Sequence, residues 1–167
     1  MNFEIVPVAY DEKAVLANLL EKFNYEFTQY DDCDVNNFGL YGYPYLDNYW
    51  TEDRRHAYFI KADNKLAGFV MVRNLDETGI EKIYAISEFF VMYKYRRTGI
   101  GRFAAYKMFD TFKGDWEFCY HPKNIISRHF WRNIVHDYTN GNFEVIESDP
   151  NEPYDDGSFG DTLKFKS

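Results

Sequence analysis

The segment Tyr93-Lys-Tyr-Arg-Arg-Thr-Gly-Ile-Gly-Arg102 constrains this chain more than any other stretch. An unbroken apolar run, Phe89-Phe-Val-Met92, precedes it and predicts a buried strand. After it, Phe103, Ala104, Met108, Phe109 and Phe112 recur at helical spacing. A strand therefore feeds a glycine-containing turn that opens a helix. The first amides of a helix have no internal partners and lie at the positive end of its dipole, so they attract anions. Gly99 and Gly101 remove side chains where a ligand would come close. Four cations (Lys94, Arg96, Arg97 and Arg102) fall within nine residues that hold no acid, in a chain of net charge -8. Together these features make a phosphate cradle.

The cradle lacks the Gly-Lys-Ser/Thr ending of a P-loop, which disfavours hydrolysis of nucleoside triphosphates. Gly99 to Ala104 does fit the dinucleotide pattern Gly-x-Gly-x-x-Ala. A Rossmann unit, however, places that pattern near the start of a βαβ repeat, with an acid closing the next strand. Here about ninety residues precede the turn, and the next strand, Trp116 to Tyr120, runs into His121. An oxidoreductase using a nicotinamide cofactor is therefore the weakest reading.

At 167 residues the chain is expected to form one domain, residues 1–167. An aromatic content of 20% excludes global disorder. The N-terminus has no basic region followed by an apolar one, and no run approaches eighteen apolar residues. Neither a signal peptide nor a membrane span is expected. Cys33 and Cys119 show no metal or redox spacing and read as reduced thiols of a cytoplasmic protein. The four histidines (His56, His121, His129 and His136) share no face with acids at ligand spacing, so no metal is expected.

Phe3 to Val8 predicts a first strand. Asp11 is placed to cap a helix whose buried face carries Val15, Leu16, Leu19, Leu20, Phe23 and Phe27. Residues 24 to 53 hold seven acids, nine aromatics and no lysine or arginine, with glycines and Pro44 breaking regular structure. Two readings of this stretch stand together. It is an acceptor loop whose carboxylates and aromatic faces draw in a cation, or an irregular insertion whose aromatics cap the core. Its aromatics could also form a homodimer surface. His56 to Ala62 and Lys65 to Val72 predict a hairpin turning at Asp63-Asn64, with Gly68 marking a bulge or close backbone approach. Ile83 to Met92 is the long central strand. Downstream, Trp116 to Tyr120 is a strand, and Pro122 suits the start of a helix bearing Ile126, Phe130, Ile134 and Tyr138. Phe143 to Glu147 and Thr162 to Phe165 form a last strand pair.

This order of elements, with Arg96-Arg-Thr-Gly-Ile-Gly101 in place, resembles the GNAT superfamily of N-acetyltransferases, whose motif is Arg/Gln-x-x-Gly-x-Gly/Ala. The resemblance covers almost the whole chain. It implies an α+β fold, an α/β/α sandwich with a mixed central sheet whose fourth and fifth strands splay apart. It also implies acetyl-CoA as cosubstrate. The pyrophosphate would be gripped by Arg96, Arg97, Thr98, Gly99, Ile100, Gly101 and Arg102, mainly through main-chain amides. The pantetheine arm would pair with the backbone of Phe90 and Val91, with Tyr93 as a further candidate. A second family pattern, Asn-x-x-Ala/Ser-x-x-Phe/Leu-Tyr, is met by Asn124, Ser127, Phe130 and Trp131. Asn124 would contact the cofactor, and Phe130 and Trp131 would line its arm.

The resemblance further implies direct attack of an amine on the thioester, with a strand amide near Val91 as oxyanion donor. Glu88 is the candidate base, because some members carry a catalytic glutamate there. A carboxylate in an apolar strand can hold a raised pKa; alternatively Glu88 faces solvent. Trp131 departs from the family, since many members have a tyrosine there to protonate the leaving thiolate, and indole has no such acid chemistry. The expected activity is acetylation of a primary amine on a small cationic acceptor. The alternative is an acyl-CoA-binding sensor or protein-interaction module without transfer. No nucleic-acid or membrane partner is expected, the one basic cluster being small and assigned to coenzyme A.

Overall fold

Asp63 and Asn64 both take positive φ, 48° and 62°, the conformation a two-residue hairpin needs to match the twist of its strands. They join β2 (Arg55–Ala62) to β3 (Lys65–Asn74) in the computed structural model, which describes residues 1–167. β1 (Phe3–Pro7) pairs antiparallel with β2, and β4 (Ile83–Val91) pairs antiparallel with β3. β5 (Asp115–Tyr120) is parallel to β4, and β6 (Phe143–Ile146) and β7 (Asp161–Lys166) close the other side. The seven-stranded order is β1-β2-β3-β4-β5-β7-β6. β4 to β5 is its single parallel junction, bridged by the crossover helix α3 (Ile100–Thr111).

The sheet separates two apolar clusters. On one face α1 (Lys13–Phe27) and the short α2 (Asn48–Thr51) set Leu16, Leu19, Leu20 and Tyr49 against Phe59, Phe69, Met71 and Phe90. On the other, α3 and α4 (Ile125–Thr139) set Ala104, Met108, Phe109, Trp131, Ile134 and Val135 against Val70, Val72, Trp116 and Phe118. The result is the expected α+β sandwich of three layers. No helix is long and apolar enough to cross a membrane.

Several local expectations are corrected. Asp11 does not cap α1: it lies in a 3-10 turn, Tyr10–Glu12, and Glu12 takes the N-cap position without a side-chain cap bond, its carboxylate accepting from the Ala9 amide at 3.2 Å. Val15 is exposed, so the buried stripe of α1 is carried by Leu16, Leu19 and Leu20. α4 starts at Ile125 under an Asn124 cap, whose Oδ1 accepts from the Ser127 amide at 2.9 Å, and not at Pro122. Ile126 is 74% exposed, because the buried face of α4 runs through Trp131, Ile134 and Val135. β3 continues two residues past Val72 to Asn74. Residues 24 to 27 belong to α1, and the remainder of the aromatic stretch divides. Leu46 and Tyr49 join the core, while Phe38 and Tyr45 stay exposed. Three of its seven acids are neutralised locally: Glu26 meets Arg96, Asp47 meets Lys13, and Glu52 meets Arg54 and Arg55.

Two irregularities shape the centre of the sheet. Ala67 is an extra residue in β3 opposite Ile60 and Lys61, and Ser87 is an extra residue in β4 opposite Met71 and Val72. Beside the first bulge, a Cβ on Gly68 would lie 1.9 Å from the Phe90 carbonyl oxygen, so only glycine admits this approach of β3 to β4. Gly68→Ala should therefore cost roughly 3 kcal/mol, the upper range of overpacking, read as a fall in the urea midpoint. A change under about 0.5 kcal/mol would show that β4 yields freely there.

Candidate active site

β4 and β5 pair at only two positions, Ile83 with Asp115 and Tyr84 with Trp116, and then diverge. From Ala85 onward the edge of β4 that faces β5 has no strand partner. Trp131 of α4 holds the strands apart on one face. Its ring lies 5.0 Å from Phe89 of β4 and 4.9 Å from Phe118 of β5, edge-on to both. The divergence leaves a cleft of about 350 Å³ whose lining includes Arg73, Ser87, Glu88, Cys119, His121 and Tyr154. An unpaired strand edge inside a cleft is a template for an extended ligand.

At the open end of β4 the chain turns through a short 3-10 segment, Tyr93–Tyr95, into α3. Arg97 and Gly99 have φ of 62° and 90°. The amides of Arg97 through Arg102 have no main-chain acceptor, the first helical bond being Phe103 N–H to Gly99 O at 3.0 Å. Nothing lies within 4 Å of where a Gly99 Cβ would sit, whereas one on Gly101 would meet the Phe130 ring at 3.1 Å. The amides and the exposed Arg97 are thus free for an anion. Arg96 and Arg102 are engaged instead. Arg96 donates through Nε to the Val91 carbonyl (2.7 Å), pairs with Glu26 (2.7 Å) and stacks over Tyr93. Arg102 binds Asp137 of α4 and Tyr106, both at 2.9 Å. These two arginines fix the turn to its neighbours and leave ligand contact to the backbone. Ile100 is buried, and Thr98 donates to the Tyr95 carbonyl at 2.7 Å.

Glu88 pairs in register with Met71 and so faces the α1 side of the sheet, half-buried in the cleft. Burial pushes its pKa up to about 7, against the opposing pull of Tyr43 and of the Arg73 charge. Tyr43, from the aromatic stretch, is itself raised by burial and by Glu88, so it stays a neutral phenol. Across the cleft the Cys119 thiol donates to Glu152 Oε2 at 3.3 Å and lies 3.7 Å from the Tyr154 hydroxyl. Burial, then the Glu152 charge, pushes Cys119 up to about 12, which removes it as a nucleophile at neutral pH. Tyr154 is likewise raised, first by burial. His121 is fully buried, with Nδ1 accepting from the Lys123 amide (3.2 Å) and Nε2 3.3 Å from Ser158 Oγ. Its ring lies 4.3 Å from that of Tyr154.

Of the residues picked from sequence, Glu88, Asn124 and Trp131 line the cleft, and Phe90 and Val91 lie on the diverging strand. Phe130 packs on Phe89 at 5.6 Å, between the turn and the cleft. Sequence reasoning missed Arg73, Ser87, Tyr43, Cys119, His121 and Tyr154. Arg73 carried a usable signal: it extends the alternation of Phe69 and Met71 as a lone cation among apolar residues. Apart from the cleft lining, Asp31, Cys33 and Asp155 bring ligand atoms within 4.8 Å of one another. Burial and the neighbouring acids raise Cys33, which disfavours a thiolate ligand there.

A family model described as the acetyltransferase (GNAT) family matches residues 20–134. No curated protein matches the sequence significantly. Among solved structures, an acetyltransferase from Thermus thermophilus superposes with a TM-score of 0.71 at 11% identity, covering 100% of this chain and 98% of its own. The PaiA N-acetyltransferase of Thermoplasma acidophilum, solved in complex with coenzyme A, gives 0.62 at 14% identity, with 100% of each chain covered. A spermidine N-acetyltransferase chimera of Vibrio cholerae SpeG and hSSAT gives 0.64 at 12%, covering 99% and 96%. At these identities the likeness concerns the fold.

The raised Glu88 has a consequence for stability. Folded, it keeps its proton to about pH 7, whereas a free glutamate loses it near 4.5. Between these values the native state holds a proton that the unfolded chain has released, so stability falls as pH rises through the window. Glu88→Gln removes this loss. Urea unfolding at pH 4.5 and 7.5 should show the variant gaining on the wild type by on the order of 2 kcal/mol. A difference independent of pH would place Glu88 in ordinary solvent.

Proposed function

The chain belongs to the acetyltransferase (GNAT) family, and from that premise we propose that it transfers an acetyl group from acetyl-CoA to a primary amine on a small acceptor that arrives as a cation. The observation that carries this reading is that one strand, β4, joins the phosphate-type turn to the cleft. Unpartnered amides at the start of α3 lead along the open edge of β4 to the Glu88 carboxylate. The coenzyme A complex of a structural neighbour and the spermidine acetyltransferase named above support the donor and the acceptor class respectively.

The pyrophosphate would rest on the amides of Arg97 through Arg102, and the pantetheine amides on the open edge of β4. The acceptor enters from the α1 side, where Glu88, Glu117 and Glu152 line the cleft and favour an ammonium group. Glu88, poised near neutrality, takes a proton from the ammonium, directly or through water. The free amine attacks the thioester carbon. A C–N bond forms, the C–S bond breaks, coenzyme A leaves as the thiolate, and the second proton shed by the nitrogen passes to water or to that thiolate. An oxyanion develops on the thioester oxygen, and a main-chain N–H of the diverging strand is the donor for it.

Thermal-shift titrations with acetyl-CoA, coenzyme A and NADH, followed by thiol release across an amine panel, test this reading. Ligand at 100 times its dissociation constant should stabilise the protein by about 2.7 kcal/mol, with both coenzyme A ligands and not with NADH. Gly99→Val forces a β-branched residue into left-handed backbone and should weaken acetyl-CoA at least tenfold. Wild-type affinity in that variant would dissociate the turn from the ligand. Glu88→Gln should lower kcat about 10²-fold, leave acetyl-CoA affinity near wild type, and abolish the rise of kcat/KM with pH near 7. Binding of acetyl-CoA without turnover of any amine would instead favour a sensor, the reading that Trp131 in place of a phenol supports.

A further inference from the structure

One cation of the cleft has no counterpart. Arg73 of β3 pairs with Ala85, the first position of β4 beyond its junction with β5. Following Phe69 and Met71 by alternation, it points to the α1 side, and it lines the cleft. Its Nε is buried with no hydrogen-bond partner. Six other arginines (Arg54, Arg55, Arg96, Arg102, Arg128 and Arg132) each meet a carboxylate within 4.0 Å. Arg97, the remaining one, is exposed on the turn. Arg73 alone is half-buried, with its Nε shielded from solvent, and has no acid within 4.0 Å. Ser87 Oγ, in the bulge of the adjacent strand, is also buried, unpartnered and part of the cleft lining. Buried polar groups left unmatched in a free protein are explained by a ligand that matches them.

The cleft's own acids are otherwise engaged or directed. Glu117 is held by Lys164 at 3.0 Å, and Glu152 accepts from Cys119. Glu88 is near enough to feel the Arg73 charge but forms no ion pair with it. An anion that enters here meets three carboxylates in the same cavity, which disfavours a doubly charged phosphate and suits a singly charged group. A planar guanidinium, with a hydroxyl of the neighbouring strand in the same lining, suits a carboxylate.

We propose that the acceptor carries a carboxylate beside its amine, as an amino acid does, with the carboxylate on Arg73 and Ser87 and the amine turned toward Glu88. This rests on the acetyltransferase reading and departs from its simple-cation acceptor: the ammonium is balanced by a carboxylate, and plain polyamines are poor substrates.

The test uses acceptor pairs that differ only in the carboxylate: tyrosine and tyramine, lysine and cadaverine, arginine and agmatine, histidine and histamine. With acetyl-CoA, kcat/KM for at least one amino acid should exceed that of its decarboxylated partner by about 100-fold, each good bidentate contact of this kind being worth a large discrimination. Arg73→Met should collapse that ratio toward one through KM, with the acetyl-CoA dissociation constant reporting that the variant is folded. Arg73→Lys should restore part of the ratio, and Ser87→Ala should reduce it. Equal turnover within every pair, or a ratio unmoved by Arg73→Met, overturns the carboxylate site while acetyl transfer stands. A second readout does not need turnover: thermal stabilisation by the amino acids in the presence of coenzyme A, lost in Arg73→Met. No stabilisation and no turnover with any amino acid, in protein that binds acetyl-CoA, likewise overturns the proposal. Failure to bind acetyl-CoA at all overturns the acetyltransferase reading itself.

Discussion

The parting of β4 from β5 is the constraint on which the rest of this structure depends. A parallel pair abandoned after two positions leaves main-chain donors and acceptors of β4 facing an interior gap, and unpaired buried backbone is costly. The sheet tolerates this because each strand is anchored on its other side. β3 holds β4 along nearly its whole length, and β7 holds every residue of β5. Trp131 keeps the gap from closing on the α4 side, bridging Phe89 and Phe118 with its two ring edges. Arg96 ends the open edge by hydrogen-bonding the Val91 carbonyl and ties that point to Glu26 of α1. The gap is thus framed by an aromatic wedge, an ion pair and two intact strand ladders.

The bulge at Ser87 decides what the gap contains. In an unbroken strand Ile86 and Glu88, two apart, would share a face. Here Ile86 pairs with Val72 on the α4 side, while Glu88 pairs with Met71 on the α1 side. One inserted residue therefore keeps Ile86 in the larger core and turns the carboxylate into the cleft. A one-residue change of register moves every later side chain to the opposite face. The bulge separates the structural half of β4 from its chemical half. It also leaves Ser87 unpaired on the strand next to Arg73, so that two unmatched polar groups line one cleft.

This explains how much the sequence could tell. The turn at Arg96 to Arg102, the Asp63-Asn64 hairpin and the close approach at Gly68 are local chemistry: left-handed backbone, missing side chains and unpartnered amides follow from residue type. Strand order followed from the succession of elements and the resemblance they carry. Arg73 showed only as a lone cation in an apolar strand, and Cys119 and Tyr154 were not legible, because their roles arise from separate segments meeting across the diverging strands. The orientation of Glu88 was open for the same reason, since simple alternation cannot anticipate a bulge. The acidic aromatic stretch left two readings open. Its charge suggested attraction of a cation, yet Glu26, Asp47 and Glu52 are bound to basic side chains of the protein itself. The acids that line the cleft, Glu88, Glu117 and Glu152, come from β4, β5 and the segment before β7.

Trp131 gives the chemistry its asymmetry. An indole spans Phe89 and Phe118, but it has no proton to offer a leaving thiolate. The thiol and the phenols near the gap are held protonated: Cys119 is pushed to about 12, and burial raises both Tyr43 and Tyr154. Glu88 is the carboxylate that burial brings to neutrality. On the proposed reading this is sufficient. An alkyl thiolate, with a parent pKa near the ~8.5 of cysteine, leaves readily without a strong acid, whereas an ammonium cannot attack until it has lost a proton. The difficult proton transfer is therefore the one at the amine, on the face where Glu88 stands. A wedge that fixes the width of the cleft is compatible with catalysis there, because the leaving group makes the smaller demand.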